Sequence, residues 1–190
     1  MVWIYSDSQL RPIVQGESLH VEGHLQFGIN CTPGGTCQHV QQELLSFSPE
    51  HDPDVVVLAT GTNNLHNKTH MGHLEKALYG DSETFRSLIR SAGEKFPGAE
   101  LIATSILPRL DSFGGYVDLY NGGFATVCDE EGVSWIDLTS YYPEESTVLW
   151  AKDGLHLSEC TGLPLYMHIL NDEVHRVLFE SKLEKIHTYK

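Results

Sequence analysis

The sequence predicts an α/β fold, with a parallel sheet held between layers of helix. Three observations carry this expectation. β-rich apolar runs alternate with longer helix-compatible segments along the whole chain, the order that builds parallel sheets. The run "DVVVLATG" is continuously apolar, as a central strand covered on both faces must be. The segment "DSETFRSLIRSAGEKF" places Phe85, Leu88, Ile89, Ala92 and Phe96 on one helical face.

The elements follow in order, each apolar run bounded by a polar or glycine-bearing stretch. A strand over Val2–Tyr5 changes character at Ser6-Asp7-Ser8. A second strand, Leu25–Ile29, leads into "NCTPGGTC", and a helix covers Cys37–Phe47. The apolar run gives a third strand, Val55–Thr60, followed by helices over His70–Leu78 and Ser82–Phe96. A fourth strand spans Leu101–Ser105, a helix Tyr116–Glu131, and a fifth strand Val133–Leu138. The last helix covers roughly Leu163–Ile186. Leu165, His168, Ile169, Asp172, His175 and Arg176 are distributed around it, which suits one face on the sheet and one in water.

At 190 residues the chain suits one domain across 1–190, and two would be cramped. No stretch reaches the roughly 20 apolar residues of a membrane span. No basic-then-apolar segment precedes the first strand, so no signal peptide is read and a cytoplasmic location is expected. Twelve basic against 26 acidic residues leave a formal charge of −14. That argues against nucleic acid as a partner, since phosphate neutralisation needs clustered Lys and Arg. A neutral or cationic small molecule is the more natural substrate. Oligomeric state is not written in the sequence. Cys31, Cys37, Cys128 and Cys160 form no C-x-x-C pair and are expected to be reduced thiols. "NCT" at Asn30 and "NKT" at Asn67 match the glycosylation pattern at about the chance frequency for such a chain.

In open parallel sheets the ligand site lies beyond the carboxyl ends of the strands. The polar stretches fall there: Asp7-Ser8 after the first strand, "NCTPGGTC" after the second, "GTNNLHN" after the third, and "WAKDGLHLSE" after the fifth. Each has a structural explanation. Ser6-Asp7-Ser8 suits a helix cap, Gly34-Gly35 a turn, and Asn63 or Asn64 another cap. Together they also make a reaction site. Asp153 and His156, three residues apart, can pair a carboxylate with an imidazole, fixing the tautomer and leaving the second nitrogen basic. Ser8 on the same sheet edge is then a hydroxyl within reach of a base. The glycine turn and the Asn63 amide can supply donors to an oxyanion.

These blocks, "YSDSQL", "PGGTCQ", "GTNN" and "DGLH", resemble those of the SGNH (GDSL-type) hydrolases, a family of esterases and lipases. The resemblance runs from Ser6 to His156, with "SILPR" and "YNGGFATVCDEEGVSWIDL" as lesser echoes. It implies a three-layer α/β/α flavodoxin-like sandwich with a five-stranded parallel sheet. Catalysis would need neither metal nor organic cofactor. By resemblance Ser8 is the nucleophile, His156 the general base and Asp153 its orienter. The Ser8 backbone amide, Gly34 (Gly35 second) and Asn63 form the oxyanion hole. The substrate implied is a small or short-chain acyl ester, as for an acetylesterase or lysophospholipase. Two residues depart from the pattern: Ser6 replaces the usual glycine, and Asn64 the usual aspartate.

Two other readings belong beside this one. His66, His70 and His73 at i, i+4 and i+7 share a helical face and could chelate zinc, though no H-E-x-x-H occurs. Ser6 and Asn64 also suit a catalytically silent binding module that keeps the fold. A cysteine nucleophile would have to draw on Cys31 or Cys37 with His39. The chain contains no G-x-S-x-G elbow, G-x-G-x-x-G or Walker loop.

Overall fold

The structure, a computed structural model, describes residues 1–16, 25–65 and 73–188. Five strands, β1 (Val2–Ser6), β2 (Phe27–Cys31), β3 (Val55–Ala59), β4 (Glu100–Thr104) and β5 (Ser134–Ile136), form one sheet. All pairings are parallel and the order is β2-β1-β3-β4-β5, the flavodoxin-like arrangement expected. The helices are α1 (Arg11–Val14), α2 (Cys37–Ser46), α3 (Leu74–Lys95), α4 (Val117–Glu131) and α5 (Gly162–Thr188).

Side chains alternate along each strand with period two, so the sheet has two apolar faces. Val2 and Ile4 of β1 and Val55 and Val57 of β3 face the layer formed by α5, through Leu163, Tyr166, Leu170 and Val174. Tyr5, Val56 and Leu58 face the opposite layer, where Leu44 of α2, Phe85 and Leu88 of α3, and Phe124 of α4 meet them. Val55, Val56, Val57 and Leu58 are each 0% exposed, which is why their run lacks a polar alternation. Each such side chain removed from water contributes about 1.5–3 kcal/mol.

The sequence suggests a break between two helices at Gly80-Asp81, but α3 runs through it. Asp81 does not cap a helix start. Its carboxylate accepts from Asn64 Nδ2 at 2.9 Å and from the Tyr120 hydroxyl at 2.9 Å, both in the interior. Gly80 costs about 1 kcal/mol against alanine. Phe85, Leu88 and Ile89 on the same helix, each no more than 2% exposed, outweigh that penalty.

Two reverse turns come from the sequence directly. Gly61, at φ 126, turns the chain out of β3, and a Cβ there would lie 2.7 Å from Phe124 and 2.9 Å from Ile106. Gly154, at φ 65, closes the loop between Trp150 and Leu157, which pair as a short antiparallel bridge. Among the described residues no helix is long and apolar enough to cross a membrane.

Candidate active site

β1 ends at Ser6, paired with Cys31 of β2 and Ala59 of β3, and the chain passes on to Asp7 and Ser8 at the carboxyl edge of the sheet. Asp7 caps the single 3₁₀ turn Ser8–Leu10, its Oδ1 accepting from the Gln9 amide at 3.2 Å. The helix-cap reading of this stretch is therefore correct for Asp7, and it leaves the Ser8 hydroxyl free for another partner. That partner is His156, whose Nε2 lies 2.8 Å from Ser8 Oγ. His156 Nδ1 lies 2.7 Å from Asp153 Oδ2, and Asp153 Oδ1 accepts from the backbone amides of His156 and Leu155 at 2.9 and 3.0 Å.

The charge on this line follows from its partners. Partial burial pushes the Asp153 carboxyl up. Bonds from the His156 ring and from the His156 and Leu155 amides together outweigh that and hold it at about 2. An ionised carboxylate can only accept, so His156 Nδ1 carries the proton and Nε2 presents its lone pair to Ser8 Oγ–H. The spacing of Asp153 and His156 is met in a tight loop rather than a helix: the Ala151 amide donates to the His156 carbonyl at 2.8 Å, and the Gly154 amide to the Ala151 carbonyl at 3.0 Å.

The loop after β2 starts beside Ser6, with the Thr32 amide donating to the Ser6 carbonyl at 2.8 Å. Gly34 is exposed at φ 71. Gly35 is buried, and its amide donates to the Thr32 carbonyl at 2.9 Å. Its carbonyl accepts from Asn63 Nδ2 at 3.0 Å, so Asn63 is tied to the glycine turn. Asn63 is 9% exposed on the 3₁₀ turn Thr62–Asn64.

The two departures are accommodated. Ser6 is fully buried and its hydroxyl donates to the Asp7 carbonyl at 3.1 Å, so a side chain fits where a glycine was expected. Asn64 bridges three elements: its Oδ1 accepts from the Cys37 amide at 3.0 Å at the start of α2, and its Nδ2 donates to Asp81 of α3, which in turn binds Tyr120 of α4.

The alternative nucleophiles fare differently. Cys31 Sγ donates to the Asp7 carbonyl at 2.8 Å, and burial pushes its thiol up. Cys37 is fully buried with its thiol pushed far up, and His39 is spent capping α2 through Thr36. Of the three histidines proposed for zinc, His66 and His70 lie outside the described residues. Among those described, no group of three or more His, Cys, Asp or Glu is placed to hold a metal. Asn67 also lies outside them, and Asn30 sits within β2.

Two residues near this line were not singled out in the sequence. Arg109, 1% exposed, donates to the Thr62 carbonyl at 2.8 Å and pairs with Asp111. The next residue, Leu110, donates its amide to the Gly154 carbonyl at 2.8 Å. The loop after β4 thus braces both the Asn63 turn and the Asp153–His156 loop. "SILPR" was the signal for it. Gln9 is the second, and nothing in its spacing pointed to it.

Asp7 is 2% exposed and also sits in this charge pattern. Burial raises its carboxyl to about 6, against the lowering from the Gln9 and Thr62 amides and from the charges of His156 and Arg109. An unfolded aspartate ionises near 4. Between the two values the native chain holds a proton that the unfolded chain has released. Stability should therefore fall as pH rises from about 4 to about 6, by up to about 3 kcal/mol from this group. Urea midpoints at pH 4.5 and 7.5 check this: the decline should shrink in Asp7→Asn. Asp153 acts with the opposite sign, contributing stability above pH 4 that is lost as pH falls through about 2.

Comparisons with known proteins bear on the family and the fold. The model of the GDSL-like Lipase/Acylhydrolase family matches residues 16–159, well over half the chain. The matched span includes Gly34, Asn63, Asp153 and His156 and begins after Ser8. Among solved structures, the lipase/acylhydrolase from Enterococcus faecalis superposes with a TM-score of 0.67 at 18% identity, over 91% of this chain and 94% of that one. The psychrotrophic esterase EstA from Pseudoalteromonas sp., solved with monoethylphosphonate as inhibitor, gives 0.70 at 13% identity over 93% and 97%. Axe2, an acetylxylan esterase from Geobacillus stearothermophilus, gives 0.63 at 14% identity over 90% and 92%. At these identities the likeness is one of fold. Among curated proteins none matches the chain.

Proposed function

The chain belongs to the GDSL-like Lipase/Acylhydrolase family, and on that premise we propose that it is a serine esterase working through an acyl-enzyme on Ser8. The observation that carries the proposal is the continuous line Ser8 Oγ, His156, Asp153, with links of 2.8 and 2.7 Å. A serine hydroxyl is a weak nucleophile until a base stands within hydrogen-bond reach, and here one does.

In the first half-reaction Ser8 Oγ attacks the ester carbonyl while His156 Nε2 takes its proton. The imidazolium formed is stabilised by Asp153, which stays anionic at any pH where an imidazole titrates. The carbonyl oxygen becomes an oxyanion and is received by the Ser8 amide, the Gly34 amide and Asn63 Nδ2. Of the two adjacent glycines, Gly34 suits this better, because the Gly35 amide is already bound to Thr32. Collapse of the intermediate passes the proton from His156 to the leaving alkoxide. Water, deprotonated by His156, then attacks the acyl-Ser8 carbonyl, and Ser8 leaves with its proton restored.

The substrate proposed is a small or short-chain acyl ester, with a neutral or cationic alcohol part suited to the −14 net charge. Two solved esterases of this fold, EstA and the acetylxylan esterase Axe2, support the reaction class. The test is hydrolysis of p-nitrophenyl acetate and butyrate with EDTA present, together with intact-mass analysis after a fluorophosphonate. Turnover that survives EDTA, with one adduct on Ser8, is the expected result. No turnover and no adduct would leave a binding module as the reading to pursue.

The oxyanion assignment has its own check. One of the two Asn63 Nδ2 hydrogens is taken by the Gly35 carbonyl, so the other is available to substrate. Asn63→Ala should lower kcat by roughly 10²- to 10³-fold, since one such donor contributes about 2.7–4 kcal/mol to the transition state. KM should change little, and Ser8 should still be labelled, more slowly. Unchanged kcat would remove Asn63 from the oxyanion hole.

A further inference from the structure

Gln9 follows the candidate nucleophile directly, and its side chain reaches across the chain to the loop that holds His156. Nε2 donates to the Leu155 carbonyl at 2.9 Å, and Oε1 accepts from the Leu157 amide at 3.2 Å. These are the two residues on either side of His156. A primary amide has one donor edge and one acceptor edge, and the backbone here offers the complementary pair. The arrangement copies one rung of a β-ladder, with a side chain in place of a strand.

We propose that Gln9 is the positioning residue of the hydrolytic site, clamping the backbone around His156 so that Nε2 meets Ser8 Oγ. The proposal rests on the Ser8–His156 reading above. Ser8 is held by the cap that Asp7 places on the 3₁₀ turn, and Gln9 belongs to that same turn. The clamp therefore references His156 to the nucleophile itself rather than to the sheet at large. Without it, the loop keeps its own hairpin bonds, the Leu110 amide on Gly154 and the buried Trp150 and Leu157 side chains at its ends, none of which bonds the nucleophile-bearing turn. Asp153 orients the ring, but it sits on the same loop and moves with it. Among the described residues, Gln9 is the side chain that bonds the main chain on both sides of His156 from the nucleophile-bearing turn.

Three variants test this. Gln9→Met keeps length and volume and removes both bonds. It should reduce kcat on p-nitrophenyl acetate by roughly 10²-fold with KM nearly unchanged, because a reacting pair displaced by about 1 Å loses that much. Amide hydrogen exchange in the segment 150–158 should accelerate in the same protein. Gln9→Glu separates geometry from packing. As a carboxylate it can accept from Leu157 but faces the Leu155 carbonyl with a second acceptor, and only when protonated can it donate there. Its kcat relative to wild type at the same pH should therefore rise as pH falls from 8 to 5. Gln9→Ala gives the limit of losing packing and bonds together.

Faster exchange with lowered kcat in Gln9→Met supports the clamp. Unchanged exchange, or faster exchange with wild-type kcat, overturns it. A flat Gln9→Glu ratio overturns it as well, even if Gln9→Met fails to fold. Hydrogen exchange needs no turnover, so an inactive wild type with a normal exchange response would sink the esterase reading while leaving the contact itself demonstrated.

Discussion

Replacing Ser8 with alanine will remove hydrolysis of p-nitrophenyl acetate, with kcat falling roughly 10⁴- to 10⁶-fold. The size of the loss follows from what remains. The oxyanion donors and the substrate contacts persist, and such residual features still accelerate hydrolysis by roughly 10³-fold over water. Covalent catalysis and the proton transfer to His156 Nε2 both vanish. The substitution deletes one oxygen from a residue that is 6% exposed and carries no structural cap, since Asp7 provides that. The folded state should therefore change little, and a thermal melt within a few degrees of wild type is the control. Fluorophosphonate labelling must disappear along with turnover. Retained turnover in Ser8→Ala would move the reaction to another residue. Cys31, with its raised thiol and its bond to the Asp7 carbonyl, is a poor substitute.

That experiment concerns the part of the molecule most readable from its sequence. Ser8, Asp153 and His156 could be picked out as candidates because parallel topology sends every strand's carboxyl end to one edge, and because the blocks that carry them resemble a hydrolase pattern as a set. β3 was legible because a strand buried on both faces must be apolar throughout, and Val55–Ala59 is. The half-buried strands were placed less sharply: β2 is Phe27–Cys31 rather than Leu25–Ile29, and β5 is Ser134–Ile136 rather than Val133–Leu138. What escaped were contacts whose partners carry no residue-type signature. Gln9 bonds backbone atoms that any sequence would possess, 146 and 148 positions away. Arg109 shows the same blindness in milder form: its bond to the Thr62 carbonyl has no counterpart in side-chain chemistry, and only the loop it sits in attracted notice. Gly80-Asp81 read as a boundary because glycine and aspartate usually interrupt helices. Only the tertiary partners of the aspartate could show that the helix continues.

Asn64 shows a departure becoming intelligible once its partner is known, and it makes the largest prediction for stability. Asn64→Asp restores the residue common at this position in the family resemblance, yet should destabilise this chain by about 3–5 kcal/mol at pH 8. Asn64 and Asp81 are both 3% exposed, with Nδ2 and Oδ1 2.9 Å apart. Two buried carboxylates at that distance cannot both ionise, so one must retain a proton or the contact must open. Opening it also loosens the Cys37 amide at the start of α2 and the turn that carries Asn63. The unfolded chain releases those protons near pH 4, so the penalty grows with pH and shrinks toward pH 4, where the shared proton is supplied without cost. The exchanged pair, Asn64→Asp with Asp81→Asn, reverses donor and acceptor across the same 2.9 Å. The new aspartate still accepts from Cys37, and the new asparagine still accepts from the Tyr120 hydroxyl. Most of the lost stability should return. A double-mutant cycle in urea should then give a coupling of about 2 kcal/mol or more between the two sites. Additive losses in that cycle would mean that the amide–carboxylate contact does not determine which residue position 64 requires.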